Sequence, residues 1–378
     1  MKRILFPLGG VLLWLIPFIV FCALVIHDPE KRSVTSLYHD ASEHWWAGEG
    51  LYVGPGGMNY LPSFAVLFAP FHLFPRALGD ILWRGLAMGL LIFGIWRALR
   101  VHFRENLAES FLWTSLMVMP ISLAALRNGQ ANAMFSALTL CAIVFLSEKG
   151  WWKAAACMSF AVMVKPLGIV LMLLTPALYP AMFVPVLVAF FGSFALPFFF
   201  ASPGYVLEQY RACFANLSSC AVVSENRFAD INGIIRSLGF ELPDRASKLI
   251  RAGAGAAFLG LFFFGGRRWR EPERALWLYA LATGYLMLFN PMNEYNGYVI
   301  FAPAMGLWSV WLIRHTEAKT LGWVLAGLTV STVLVPTLLQ PIYRNAPGII
   351  WPPIVATFFL LLLSARIFRL VGPAPRGR

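Results

Sequence analysis

Charge is what this chain has least of. Asp, Glu, Lys and Arg make up 13% of its 378 residues, against 59% apolar ones, and the 18 acids are outnumbered by 30 bases. Soluble globular domains carry about 25% charged residues, so an ordinary water-facing surface is excluded. Cysteine is sparse as well. Its five copies form no CxxC pair, no HExxH occurs and the six histidines are scattered, so neither a metal nor another cofactor is expected. Repeats, linkers and low-complexity tracts are missing too, which leaves one domain over 1–378.

Apolar segments of spanning length recur from Val11 to Phe368. In hydrocarbon an unpaired backbone amide costs several kcal/mol, and these runs lack the ten-residue alternation of barrel strands. The fold class that follows is all-α, a polytopic membrane protein. A net charge of +12 would suggest nucleic acid in a soluble chain. Here the bases fall mostly in short segments between spans: Arg97, Arg100, Arg104; Lys149, Lys153; Arg267, Arg268, Arg270, Arg274; Arg314, Lys319; Arg366, Arg369, Arg376, Arg378. That is positive-inside bias, so no nucleic acid partner is expected. Placing those segments in the cytoplasm gives roughly twelve spans with both termini cytoplasmic, if 166–180 and 181–201 form a pair turning at Tyr179-Pro180. The opening run resembles a signal peptide but has no small-x-small cleavage site, so it is read as an uncleaved anchor behind Lys2 and Arg3.

Two segments on the outer side, about 28–75 and 202–250, are long for connections and mark functional elaborations. SPGYVLEQYRACF, in the second, reads as an interfacial helix. Cys213 and Cys220 share a polar outer stretch in an oxidising compartment and are candidates for a disulfide; Cys22, Cys141 and Cys157 read as packing residues. With Lys2 and Arg3 inside, SLYHDASEHWWAGEGLY, LRNGQAN, MVKPLG, FADINGII and NPMNEYNGY all fall at or near outer span ends. Polar groups that segregate by side share a site more economically than they serve unrelated packing.

Each stretch has a chemistry and a plainer alternative. Asp40 and Glu43 lie one helical turn apart near Tyr38, so either carboxylate suits a general base; the alternative is solvated acids beside interface aromatics. Arg127, Asn128, Gln130 and Asn132 offer a cation for phosphate and amides for sugar hydroxyls, or simply a capped NG turn with a snorkelling arginine. Lys165 costs at least ~2.5–3.5 kcal/mol near the middle of a span, so it needs a partner or an anionic ligand; the alternative is snorkelling from a short helix end to the outer surface. Glu294, flanked by Asn290 and Asn296, reads as a counter-ion for Lys165 or Arg127, or as a holder of ligand hydroxyls. Asp230 is offered in the same way, against the alternative of a solvated loop acid.

In order and spacing, LYHDASEHWWAGEGLY with YLPSFAVLFAPF, then NGQANAMFSALTL, MVKPLGIVLMLL and FNPMNEYNGYVIFAP resemble glycosyltransferase family 87, over roughly residues 30–310. The resemblance implies a GT-C fold, an extracytoplasmic active site, a sugar donor on a polyprenyl phosphate and catalysis without bound metal. Asp40 would be the first-loop catalytic carboxylate, with Glu43 in reserve. The family's acid precedes the loop tyrosine, whereas Val34, Thr35 and Ser36 precede Tyr38 here. Tyr60 heads a YLP that looks like the family's YPP, and Asn128, Gln130 and Lys165 match its NGQ and KP positions. The expected enzyme is a monomer in a bacterial inner membrane, in contact with membrane lipids. It would move mannose or another hexose or pentose to a lipid or glycan acceptor, with Lys165 and Arg127 on the donor phosphate. A secondary transporter of a polar or anionic solute is the alternative from another class.

Overall fold

Helices are the only open-ended structure that pairs every backbone amide within its own segment, which hydrocarbon demands. The protein, here a computed structural model that describes residues 2–52, 58–103, 106–220, 228–267, 269 and 271–370, is helical throughout, with no strand among the described residues. Its α-helices are α1 (Lys2–His27), α2 (Thr35–Ala47), α3 (Pro62–His72), α4 (Arg76–His102), α5 (Leu107–Arg127), α6 (Ala131–Ser147), α7 (Trp151–Val164) and α8 (Ile169–Leu178). There follow α9 (Phe183–Ala195), α10 (Pro203–Cys220), α11 (Ile231–Ser237), α12 (Asp244–Gly266), α13 (Glu273–Phe289), α14 (Ala302–His315), α15 (Lys319–Tyr343) and α16 (Ala346–Leu370).

Every expected span has its helix, the ends differing by a few residues. Among the described residues seven stretches qualify, by length and composition, to cross a membrane unaided, while α6, α7 and α8 are shorter apolar helices. The reason is position in the bundle. Helices α6, α13 and α14 are buried on nearly all sides, with Phe135, Trp277, Tyr279 and Trp308 fully enclosed, and a helix apolar all round belongs to a core. Around them α1, α9, α12 and α15 expose large apolar side chains, among them Ile16, Ile19, Phe191, Phe264 and Leu338, the surface that lipid covers. The basic residues Arg104, Arg268, Arg270, Arg376 and Arg378 lie outside the described residues.

The described parts of the two long connections, about 28–75 and 202–250, are largely helical. α2 and α3 pack together, and α10 clamps them: Leu51 N donates to Gln209 Oε1 at 3.0 Å and the Tyr205 hydroxyl to Glu49 O at 2.6 Å. The expected disulfide is not formed. Cys213 is a free, buried thiol facing Tyr60 O. It shares α10 with Cys220, and a rise of about 1.5 Å per residue puts the two Cα atoms roughly 10 Å apart, beyond the reach of a disulfide.

Pro166 sets the break that matters most. A residue before proline is pushed out of the α region, and Lys165 is extended, φ −152° and ψ 125°. α7 therefore stops there, a 3-10 turn follows over Pro166–Gly168, and Lys165 sits in a gap between helices rather than within a span.

Candidate functional site

The turn between α5 and α6 is built first. Gly129 has φ +65°, and a Cβ there would come within 2.6 Å of Thr35 Cγ2 and 2.9 Å of Arg84 Cζ, so only glycine fits. Trp83 Nε1 donates to Gly129 O at 2.9 Å and Arg84 Nε to Arg127 O at 3.2 Å. Arg84 is held in turn by Asp80 at 3.6 Å, both side chains buried, and donates to Ser33 Oγ at 2.9 Å; His39 Nε2 lies 3.1 Å from Asp80 Oδ1. The first amides of a helix lack intrahelical partners. Tyr38 supplies one: its hydroxyl accepts from Ala131 N at 3.0 Å and lies 3.1 Å from the Tyr60 hydroxyl.

With the turn fixed, Gln130 and Asn132 enter a cavity of about 350 Å³. Lys165 Nζ donates to Asn132 Oδ1 at 2.5 Å, Asn132 Nδ2 to Gln130 Oε1 at 3.2 Å, and Gln130 Nε2 to Glu294 Oε2 at 3.3 Å. The order has a chemical logic. An ammonium has only donors and an ionised carboxylate only acceptors, so the two amides between them are forced into a single orientation and polarised from end to end. Cation and anion are thereby held on one wall without neutralising each other by contact. The rest of the cavity is largely apolar, with Val34, Leu37, Met58, Leu167, Phe228 and Met292.

The stretch after α13 delivers Glu294. Buried Asn293 donates to Ala229 O at 3.0 Å and Met287 O at 2.9 Å, and Ala229 N donates back to Asn293 O at 2.6 Å. A Cβ on Gly297 would stand 2.2 Å from Asn293 Oδ1, which explains the glycine. Ser136 Oγ on α6 ties the same stretch down through Val299 O at 2.8 Å. Asp230 anchors the other side. It caps α11 by accepting from Gly233 N at 2.6 Å, with Arg236 3.8 Å away; burial pushes its carboxyl up to about 6, against the pull of the Gly233 amide and Arg236. It does not line the cavity.

The structure thus brings together Tyr38, Tyr60, Gln130, Asn132, Lys165, Asn290 and Glu294. Asp40 and Glu43 are not among them. Both are exposed on α2, and Asp40 lies two positions from inward-facing Tyr38, on the other side of the helix. Arg127 and Asn128 face a different cavity of about 640 Å³, shared with Arg32, so Arg127 and Lys165 do not converge. Asn296 turns to a third cleft. Sequence reasoning passed over Asp80 and Arg84; two charges one turn apart within an apolar span, GDILWRG, were the available signal. Among the described residues no cluster of His, Cys, Asp and Glu has the makings of a metal site.

Against known proteins, the model of glycosyltransferase family 87 matches residues 59–291. Over 358 residues the chain is 26% identical to a polyprenol-phosphate-mannose-dependent alpha-(1-2)-phosphatidylinositol pentamannoside mannosyltransferase of Mycobacterium tuberculosis, covering 85% of this chain and 76% of that one. Among solved structures it is similar to ArnT from Cupriavidus metallidurans bound to undecaprenyl phosphate, with TM-score 0.48 and 15% identity over 97% of this chain and 77% of that one. The apo form of ArnT gives 0.42 and 15%, over 88% and 72%.

Proposed function

The chain belongs to glycosyltransferase family 87, and from that premise we propose that it moves a sugar from a polyprenyl phosphate to an acceptor hydroxyl at the extracytoplasmic face of a bacterial inner membrane. The observation that carries the reading is Lys165 and Glu294 on one wall of an otherwise apolar cavity, joined by Asn132 and Gln130. Apolar walls suit the first isoprene units. The mannosyltransferase relative takes its donor as polyprenol-phosphate-mannose, which makes mannose the first sugar to test.

In this reading the acceptor oxygen attacks the anomeric carbon while the bond from that carbon to the phosphate oxygen breaks. Lys165 takes up the charge growing on the departing polyprenyl phosphate, the place where a preorganised cation lowers the barrier. Glu294 receives the acceptor proton. It replaces Asp40 and Glu43 in that role because it is the carboxylate lining the cavity. Asn290 and Tyr60 are placed to hold sugar hydroxyls, and Tyr38 holds the start of α6.

The purified protein in nanodiscs, given polyprenyl-phosphate sugars and a membrane extract, should yield a new glycolipid by mass spectrometry. Product should vanish with Lys165→Ala and persist with Asp40→Asn and Glu43→Gln. Loss of product in Asp40→Asn with full activity in Glu294→Gln would return the base to α2. Solute uptake into proteoliposomes with no glycolipid from any donor would favour a transporter instead.

A further inference from the structure

We propose that the cleft between the Glu294–Asn296 stretch and the junction of α15 with α16 is the subsite for a carbohydrate acceptor, with Glu294 on the wall it shares with the Lys165 cavity. The inference rests on the glycosyl-transfer reading and adds where the second substrate lies and what it is. Glu294 borders both spaces. A residue that takes a proton from one substrate while the other loses its leaving group has to face both, and among the described residues no other is common to the two linings.

The two spaces differ in chemistry. The Lys165 cavity is walled mostly by apolar side chains, and two of its amides, Gln130 and Asn132, are spent on the chain from Lys165 to Glu294. The second cleft, about 290 Å³, presents Asn296, Thr337, Gln340, Arg344 and Asn345, side chains open to solvent that make no hydrogen bond among the described residues. Amides and a hydroxyl offer donors and acceptors in pairs, which vicinal sugar hydroxyls match; an apolar lipid tail would leave them all unpaired. Tyr295 lines the cleft with its hydroxyl donated to Thr332 O at 3.4 Å, leaving a fixed ring for the C–H face of a pyranose. Arg344 is held at φ +52°, a conformation a non-glycine residue rarely adopts. Such strain persists only where surrounding structure imposes it, and it clusters at ligand clamps.

Gly348 supplies the decisive variant. A Cβ built there would sit 3.7 Å from the Tyr295 ring, ordinary contact, so a large side chain is accommodated only by filling the cleft. Two probes are read on the full protein in nanodiscs: methyl glycosides of mannose, glucose, galactose and arabinose by saturation-transfer NMR, and a fluorescent short-chain prenyl phosphate by anisotropy. At least one glycoside should give saturation transfer in the wild type. It should bind about tenfold more weakly in Gln340→Ala combined with Asn345→Ala, the equivalent of ~1.4 kcal/mol, and not at all in Gly348→Trp. Prenyl phosphate affinity should be unchanged in all of these and fall in Lys165→Ala. If no glycoside binds the wild type, or if binding survives in both cleft variants, the acceptor assignment is overturned while prenyl phosphate binding still supports the donor. If prenyl phosphate does not bind, the underlying reading fails whatever the glycosides do. Should Gly348→Trp not fold, the double alanine variant decides.

Discussion

Lys165 stands in the break between α7 and the Pro166–Gly168 turn, and its single protein partner is a neutral amide. Removing it should therefore weaken donor phosphate binding more than it disturbs the fold. For Lys165→Ala the expected result is a fall in prenyl phosphate affinity of about 10- to 100-fold, the worth of a charge-assisted hydrogen bond of ~1.5–3 kcal/mol. Glu294→Gln keeps the shape and a donor–acceptor amide but cannot take the proton; kcat should drop by ~10²–10⁴ with donor binding intact. A second titration belongs to Asp230. Burial raises its carboxyl to about 6, above the ~3.9 of an unfolded chain. The native state therefore holds the proton longer, and stability falls as pH rises from about 4 to 6, by on the order of 2 kcal/mol. Asparagine caps a helix as well as aspartate does, so Asp230→Asn should keep α11 and flatten the change in unfolding midpoint between pH 4 and pH 7.

At this scale Lys165, Gln130, Asn132 and Glu294 were legible because each is a polar group in an apolar setting, where burial demands a partner. Asp40 lies outside the cavity for a physical reason. Whether a residue on an amphipathic helix faces the site depends on how that helix is rotated against its neighbours, and α2 turns Tyr38 inward to cap α6, which sends Asp40 out.

Among elements, the spans were readable from hydropathy alone, since lipid imposes one solution. Of the long connections, the α10 helix was readable from its aromatic and apolar residues, whereas α2 and α3 were not: α3 is too short and α2 too polar for a span signal, and they pack against each other and α10. The disulfide expectation failed in the same way, because a continuous helix through Cys213 and Cys220 could not be seen from spacing. What couples these elements is the buried Asp80–Arg84 pair beneath the Gly129 turn. Taking one partner from a buried ion pair costs about 3–5 kcal/mol, because the other charge is left uncompensated. Asp80→Asn should accordingly lower the unfolding midpoint in detergent and reduce transfer although Asp80 touches neither cavity. Asp80→Asn with Arg84→Met, which removes both charges, should recover much of the stability but not the hold on Arg127 O and Ser33. A double variant no more stable than Asp80→Asn alone would show that the ion pair is not what locks the turn.

At the scale of the molecule, α4 and α5 run in opposite directions, and this separates charge from chemistry. α4 runs from Asp80 and Arg84, beside the site, to Arg97, which pairs with Glu148 just past the end of α6; α5 runs back from Glu109, paired with Arg314 at 2.5 Å, to the Gly129 turn. Arg97 and Arg314, each paired with a glutamate, thus lie at the end away from the cavities. In the proposed orientation, which the positive-inside rule supports, that end is cytoplasmic and both cavities open outward. Orientation decides the chemistry: sugar nucleotides are made inside, so an outward site needs a donor carried on lipid, whereas an inward site would have no such need. With the native cysteines replaced by serine, Glu43→Cys and Arg344→Cys should react with a membrane-impermeant maleimide in intact cells, and Lys149→Cys only after the membrane is opened. Glu43 and Arg344 are exposed in the structure, so failure to label them while Lys149→Cys reacts would mean the chain is inserted the other way up. The polyprenyl phosphate donor would then lose its rationale.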